Sequence, residues 1–565
     1  MDKITKIREG LEQNPVDCPP EVENARPIFD GEVWSEFQPV SEEQVSKVIT
    51  SSPTTSCPLD PLPTRVLKTC LPALLTVLTF LVNLSLSTGE FCANLKKAYV
   101  TPLLKKLDLD SDIFKNYRPV SNLSFLSKVI ERIVAIQLLA HLTANNIMEK
   151  FQSAYRAYHS TETALLRVFN DLLLSVDTHG GAILVLLDLS AAFDTIDHAT
   201  LLEALQSQCG ITGTVLKWFA SYLSDRSQAV RIGAAFSAFV GLVFGVPQGS
   251  VLGPILFTLY TSPLGAIVKR HGLTYHFYAD DSQLYIVFKP KDPSSIDDAI
   301  AKIEACVADI RAWMGRNFLK LNDDKTEILV ITTKRTKPVS EIRIRIGNDE
   351  IAPVSSDADP PRNLGVYIDS FLSLDFHISK KAKAINFALY NVSKIRKYLD
   401  KPTGEMIING LMMSRLDYCN SLFVCIPAKL VKQLQLTQNR AARILSLTSK
   451  FAHITPVMRD LHWLPVDKRI EFKVLHLCYK CVNGLAPPYL SDLLSKYVPT
   501  RSLRSADKDL LVVPSSCRLK TFGDRAFSQA APCLWNELPR EIRQSESADI
   551  FKKRLKTHLF KKAYE

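Results

Sequence analysis

Apolar residues recur along this chain in two periods, and the change from one to the other divides it. From Ser41 the run SEEQVSKVI places a serine cap, two acids and then apolar positions at helical spacing, which predicts a helix start. A proline-punctuated loop, SSPTTSCPLDPLP, follows, and then helices to about Ser87. Between Asn94 and about Ile346, short aliphatic runs alternate with helical stretches. AILVLL (Ala182 to Leu187) and LYIVF (Leu284 to Phe288) predict strands, and Thr161 to Leu174 a helix. Beyond about Asp375 the apolar spacing predicts helices over Ser379 to Tyr398, Leu430 to Leu447 and Arg469 to Val482. From Pro487 the chain is proline-punctuated and ends on a basic helix, while its first 40 residues are polar and read as a linker or frayed tail.

With 565 residues, 46% of them hydrophobic and 22% charged, the chain can bury several cores, which excludes a disordered or fibrous class. Lys and Arg total 69 against 58 Asp and Glu, a net +11 that fits a polyanionic partner without proving one. Twelve scattered cysteines and the polar start MDKITKIREG predict a reducing, intracellular setting. The apolar run Leu71 to Leu86 carries Pro72 and Asn83 and falls short of the ~20 residues of a spanning helix. It is expected to be a buried helix of a soluble fold, with no membrane partner. Cys478 and Cys481 form a lone CxxC beside His476, and with no second ligand pair no zinc site is expected.

The sharpest chemical feature is Tyr278-Ala279-Asp280-Asp281 between two apolar runs, which implies a tight hairpin. Alone it reads as readily as a solvated Asp-Asp turn. A second acid changes the balance. Asp188 ends the buried-looking strand AILVLL, where a carboxylate must be hydrogen-bonded, paired or metal-bound. If the two strands are neighbours, Asp188, Asp280 and Asp281 converge into an oxygen-ligand site for a hard divalent cation such as Mg²⁺. Asp194 and Asp197, in SAAFDTIDH, have helical spacing and are expected on a helix surface or cap.

The motif order extends this. Asn116-Tyr117-Arg118-Pro119-Val120-Ser121-Asn122, Gln152-Ser153-Ala154-Tyr155-Arg156, Leu187-Asp188-Leu189-Ser190-Ala191-Ala192-Phe193-Asp194, Gly245-Val246-Pro247-Gln248-Gly249-Ser250, Tyr278-Ala279-Asp280-Asp281, Leu321-Asn322 with Lys325-Thr326-Glu327, and Leu364-Gly365-Val366 follow one another. In that order they resemble the reverse transcriptases of non-long-terminal-repeat, LINE-type retrotransposons, close to the jockey-like branch. Downstream, Ser414 to Asn420, Leu461 to Val466 and Leu534 to Pro539 are similar to the same elements.

The resemblance implies an α/β chain with an α+β palm: a right-hand polymerase of fingers, palm and thumb, followed by a mostly helical C-terminal region. Boundaries are expected near residues 85, 347 and 450. The activity implied is RNA-directed DNA polymerisation with an RNA template, a DNA primer or nicked target DNA, dNTPs and two Mg²⁺ ions, Mn²⁺ being the substitute. Asp188, Asp280 and Asp281 would be the metal ligands. Phe193 would be the steric gate against a 2′-hydroxyl. Gln248 and Gly249 would approach the nucleotide, and Arg156 the triphosphate, with Arg118 and Lys105 or Lys106 adding phosphate contacts. Lys325 would be the general acid to pyrophosphate.

The acid-free stretch Ala428 to Leu447 carries Lys429, Lys432, Arg440 and Arg443, and the resemblance makes it a thumb helix against the duplex. The tail FKKRLKTHLFKK suits RNA or a nuclear address. The sequence departs from the family in two respects. About 90 residues precede the fingers, fewer than the family's usual endonuclease needs, so a truncated or domesticated element product is expected. Ala154 also stands where a glycine is usual. The competing expectation is a catalytically idle nucleic-acid-binding remnant.

Overall fold

A computed structural model describes residues 2–13, 18–23, 28–106, 109–190, 192–336, 342–347, 349–355, 358–498, 509–514, 519 and 521–565. Ala191, inside the Asp188 motif, lies outside the described residues. Among the described residues, beside two short two-stranded sheets, two larger ones carry the α/β part. Their strands are β1 (Lys97–Leu104), β2 (Tyr117–Leu123), β3 (Gly181–Leu187), β4 (Arg226–Ile232), β5 (Ala235–Phe236), β6 (Val240–Leu242), β7 (Thr274–Tyr278), β8 (Asp281–Phe288) and β9 (Glu327–Thr332). β2-β1-β4-β5, with β6 on β4, form one sheet, and β7-β8-β3-β9 the other.

In the second sheet β3 is central, antiparallel to both β8 and β9. Its residues alternate between two cores. Ile183, Val185 and Leu187 enter one that holds the helix Pro293–Arg316. Ala182 and Leu184 enter another that holds the helix Thr161–His179 and the C-terminal helices. Burial on both faces is why β3 reads as an unbroken aliphatic run rather than an alternating one. Downstream, the helices Asp375–Ile395, Ala428–Ser446 and Val466–Val482 agree with the spacing in the sequence. The terminal helix Ala548–Tyr564 buries Phe551, Leu555 and Leu559 in the C-terminal core.

Three expectations are corrected. The first 40 residues are not simply a frayed tail: Asp2–Gln13 is a helix, and its Arg8, 6% exposed, lies between the rings of Phe244 and Phe318 at 3.7 and 3.9 Å. Arg8 also pairs with Asp197 at 2.8 Å, a contact from too far along the chain for periodicity to register. Asp197 is a helix cap, as expected, but Asp194 lies in a turn at residues 192–194 rather than on a helix, because the next helix starts only at His198. The helix Leu71–Thr88 is buried on one side only, leaving Val77, Phe80, Leu81 and Leu84 exposed. By length and composition it could cross a membrane. Here it is fastened to protein: Asn83 exchanges two hydrogen bonds with the Val40 backbone, and Trp218 Nε1 donates to Ser85 Oγ at 3.0 Å.

Candidate active site

Pairing of β3 with β8 runs to Leu187 opposite Ser282, so Asp188 and Asp281 leave adjacent strands at the same end. β7 and β8 are joined through Ala279 and Asp280, with Tyr278 opposite Asp281. Ala279 has φ +55°, a left-handed position that a two-residue hairpin turn requires. The acids feel one another. Burial, then Asp280 and Asp188, push the Asp281 carboxyl up to about 6. Asp280 is raised by burial and by Asp188. Among the described residues, no three acid, histidine or cysteine side chains are drawn close enough to hold a metal as they stand. The donor set nevertheless fits a hard divalent cation: three carboxylates, all oxygen donors, two of them carrying charge that burial and repulsion penalise.

Cations already answer part of that charge. Lys325 Nζ reaches Asp188 Oδ2 at 2.7 Å and Asn322 Nδ2 donates to the same oxygen at 3.1 Å. The lysine arrives there because the segment before it brackets Asp188: Ser190 N donates to Lys320 O, and Asn322 N to Asp188 O. Arg118, exposed on β2, lowers both Asp280 and Asp281 through space. A cleft of about 320 Å³ opens beside Asp188, Asp281 and Lys325, with Arg362 and Asn363 on its wall. A larger cavity of about 1260 Å³ lies among the C-terminal helices, away from the acids.

The remaining expected residues fall into two groups. Phe193 is half-buried, stacked on Phe257 with centroids 4.7 Å apart, and its carbonyl accepts from Val246 N at 2.9 Å. Gln248 Oε1 is buried with no protein partner, an orphaned acceptor beside this loop. The glycines of the loop sit where the chain passes close to itself. A Cβ on Gly245 (φ +79°) would sit 2.7 Å from Asp194 O, and one on Gly249 (φ +120°) 2.6 Å from Ser121 O. They let other stretches of the protein backbone pass close by.

Arg156 is turned inward: its Nη1 donates to the carbonyls of Glu149 and Gln152 at 2.6 and 3.2 Å, and burial lowers its pKa. Lys105 Nζ is likewise engaged, donating to Lys115 O at 2.7 Å. Two residues the sequence reading quoted without a role stand closer to the acids. Gln152, 4% exposed, holds the hairpin turn by accepting from Ala279 N at 2.9 Å and donating to Ala279 O at 3.3 Å. Tyr155, half-exposed at φ +58°, is raised by burial and by the field of Asp280.

Lys429, Lys432, Arg440 and Arg443 fall on one stripe of their helix, opposite the buried Leu430, Leu434, Ala441 and Leu445. Arg440 donates to Asn386 at 3.2 Å across a groove also lined by Lys383 and Leu436, and Arg443 to Ala452 O at 3.2 Å. Cys478 and Cys481 are buried in a core helix, where burial pushes both thiols up, Cys481 to about 12.

Comparison with known families matches residues 104–368 to the family described as reverse transcriptase (RNA-dependent DNA polymerase). Residues 104–368 form a reverse transcriptase domain. The four-stranded sheet is the palm of that domain. Enzymes with this domain generally use divalent metals, in keeping with the acids at its edge. Beyond the domain, the chain is similar to a probable RNA-directed DNA polymerase from transposon BS of Drosophila melanogaster, 25% identical over 454 residues, covering 77% of this chain and 48% of the relative. The polymerase from mobile element jockey of the same species is 27% identical over 433 residues, covering 75% and 45%. That from transposon X-element is 26% identical over 361 residues, covering 63% and 38%. The chain thus spans about half or less of the length of these relatives.

Proposed function

We propose that this chain is an RNA-directed DNA polymerase of a non-long-terminal-repeat retrotransposon, extending a DNA 3′-hydroxyl on an RNA template. The observation that carries the proposal is the strand pairing that brings Asp188, Asp280 and Asp281 to one end of the palm sheet. Those three side chains would hold two divalent ions, Mg²⁺ by preference for an all-oxygen set. Bound there, such ions supply charge stabilisation to the attacking and leaving oxygens of an in-line phosphoryl displacement.

The chain's own residues do the rest. Arg118 offers a guanidinium to triphosphate oxygens on the acid side of the cleft. Gln248 presents its orphaned amide to the nucleotide. Phe193, backed by Phe257, fills the space a 2′-hydroxyl would need. Lys325 neutralises Asp188 in the resting chain, and as the primer 3′-oxygen bonds to the α-phosphorus and the bond to pyrophosphate breaks, it hands its proton to that leaving group. The stripe of Lys429, Lys432, Arg440 and Arg443 runs along the duplex backbone, which makes binding salt-sensitive. Work on chromosomal DNA would place the protein in the nucleus.

Primer extension on an RNA template with Mg²⁺ and dNTPs tests the reading. Incorporation of dTTP over UTP, abolished by Asp280→Ala with Asp281→Ala, is the expected result. Well-folded protein that binds RNA without incorporating nucleotide would favour the idle remnant instead.

A further inference from the structure

Far from the cleft in sequence, Tyr489 is fully buried against the strand that carries the acidic hairpin. Its hydroxyl lies 2.7 Å from Ser153 Oγ, and Ser153 Oγ lies 2.8 Å from Nε2 of His276, a β7 residue. The Tyr489 hydroxyl also donates to Thr163 Oγ1 at 3.0 Å, and Thr163 Oγ1 donates to Ser160 O at 2.9 Å. Each hydroxyl has one proton, so a single direction satisfies every link: His276 Nε2–H to Ser153, Ser153 to Tyr489, Tyr489 to Thr163, Thr163 to Ser160. Burial keeps His276 neutral, its pKa lowered to about 3, as this tautomer needs. The ring is enclosed too, edge-on to His276 at 4.7 Å, while Arg167 Nη1 donates to its carbonyl at 2.8 Å.

Ser153 in turn lies within the segment that supports the hairpin. Phe277 N donates to Phe151 O, and Ser153 N to Phe277 O, at 2.8 and 2.9 Å. The adjacent Gln152 grips both polar groups of Ala279, the residue before Asp280. We propose that Tyr489 is a positioning residue for the acidic pair: the C-terminal region sets the Gln152–Ser153 segment, and that segment sets the turn from which Asp280 and Asp281 project. The inference rests on the polymerase reading for its consequence in turnover, but the mechanical coupling stands apart from it.

The test uses the full chain with Tyr489→Phe and, from the other end of the same link, Ser153→Ala. Hydrogen-exchange mass spectrometry on metal-free protein follows peptides covering Thr274–Asp280, with β3 and β9 as internal reference. Both variants are expected to speed exchange in the hairpin peptides about tenfold, leaving β3 and β9 unchanged. In primer extension both should lower kcat about tenfold and raise the half-saturating Mg²⁺ concentration, with KM for dNTP unchanged. Hairpin exchange at the wild-type rate in both variants would overturn the proposal. So would acceleration spread equally over β3 and β9, which is general loosening rather than positioning. If no chain incorporates nucleotide, the polymerase reading fails while the exchange data still decide the coupling.

Discussion

Lys325 Nζ and Asp188 Oδ2 are 2.7 Å apart, so the strand-end acid is met by a lysine in the resting chain. The lysine side chain is 63% exposed, and an ion pair that open adds little to stability. Lys325→Ala should therefore leave the melting temperature nearly unchanged and strengthen Mg²⁺ binding in the absence of nucleotide. Turnover should fall by roughly 100-fold, the lower range for loss of a general acid. Calorimetric metal titration and single-turnover extension check the two halves.

Asp281 makes stability depend on pH in a stated direction. Its ordinary value is 3.8 and in the folded chain it is pushed up to about 6. Between those values the folded chain holds a proton that the unfolded chain has released. This contribution to stability is present below about 4 and is lost as pH rises through about 6. A cation needs the ionised form, so added Mg²⁺ should raise the melting temperature more at pH 7.5 than at pH 5. Thermal melts with and without metal at the two pH values measure this, and an equal rise at both would count against a site built on Asp281.

The loop glycines give a steric prediction. Gly245→Ala and Gly249→Ala each put a Cβ within 2.7 Å of a backbone oxygen at a positive φ. Each is expected to cost about 1–3 kcal/mol. Gly241→Ala, with nothing within 4 Å of its Cβ, should be close to neutral and serves as the control. Urea unfolding of the three variants gives the comparison.

Arg8 tests whether the N-terminal helix belongs to the fold. Removing a buried guanidinium that stacks on two rings and pairs with Asp197 should cost about 3 kcal/mol. Arg8→Lys, which keeps the charge without the planar fork, should recover only part of that. Urea midpoints of wild type, Arg8→Ala and Arg8→Lys would show it.

Much of the site was legible in the sequence, and the reasons for what was missed are physical. Asp188 could be read because a carboxylate closing six aliphatic residues is costly unless it has a purpose. The hairpin could be read because two acids between apolar runs leave room only for a turn. Asp197 could be read as a cap, but the turn before it could not, because apolar spacing does not record that Val246 and Gly245 take up the backbone groups of Phe193 and Ile196. Arg8 and Tyr489 were invisible for another reason: each meets partners that are local neither in sequence nor in pattern. The one signal for Gln152 was its place beside Ser153 in a recognised motif, since its clamp on Ala279 depends on strand placement alone.

Ser153 and Tyr489 are 336 residues apart. A ribosome adding about 5–20 residues per second emits the second roughly 17–67 s after the first. Asp281 emerges between the two, 208 residues before Tyr489, so for about 10–42 s of that interval the acidic hairpin exists as a strand pair without its brace. The site is therefore completed late in synthesis, and a chain interrupted before its proline-punctuated C-terminal stretch would carry every acid in order and lack the clasp that aims them.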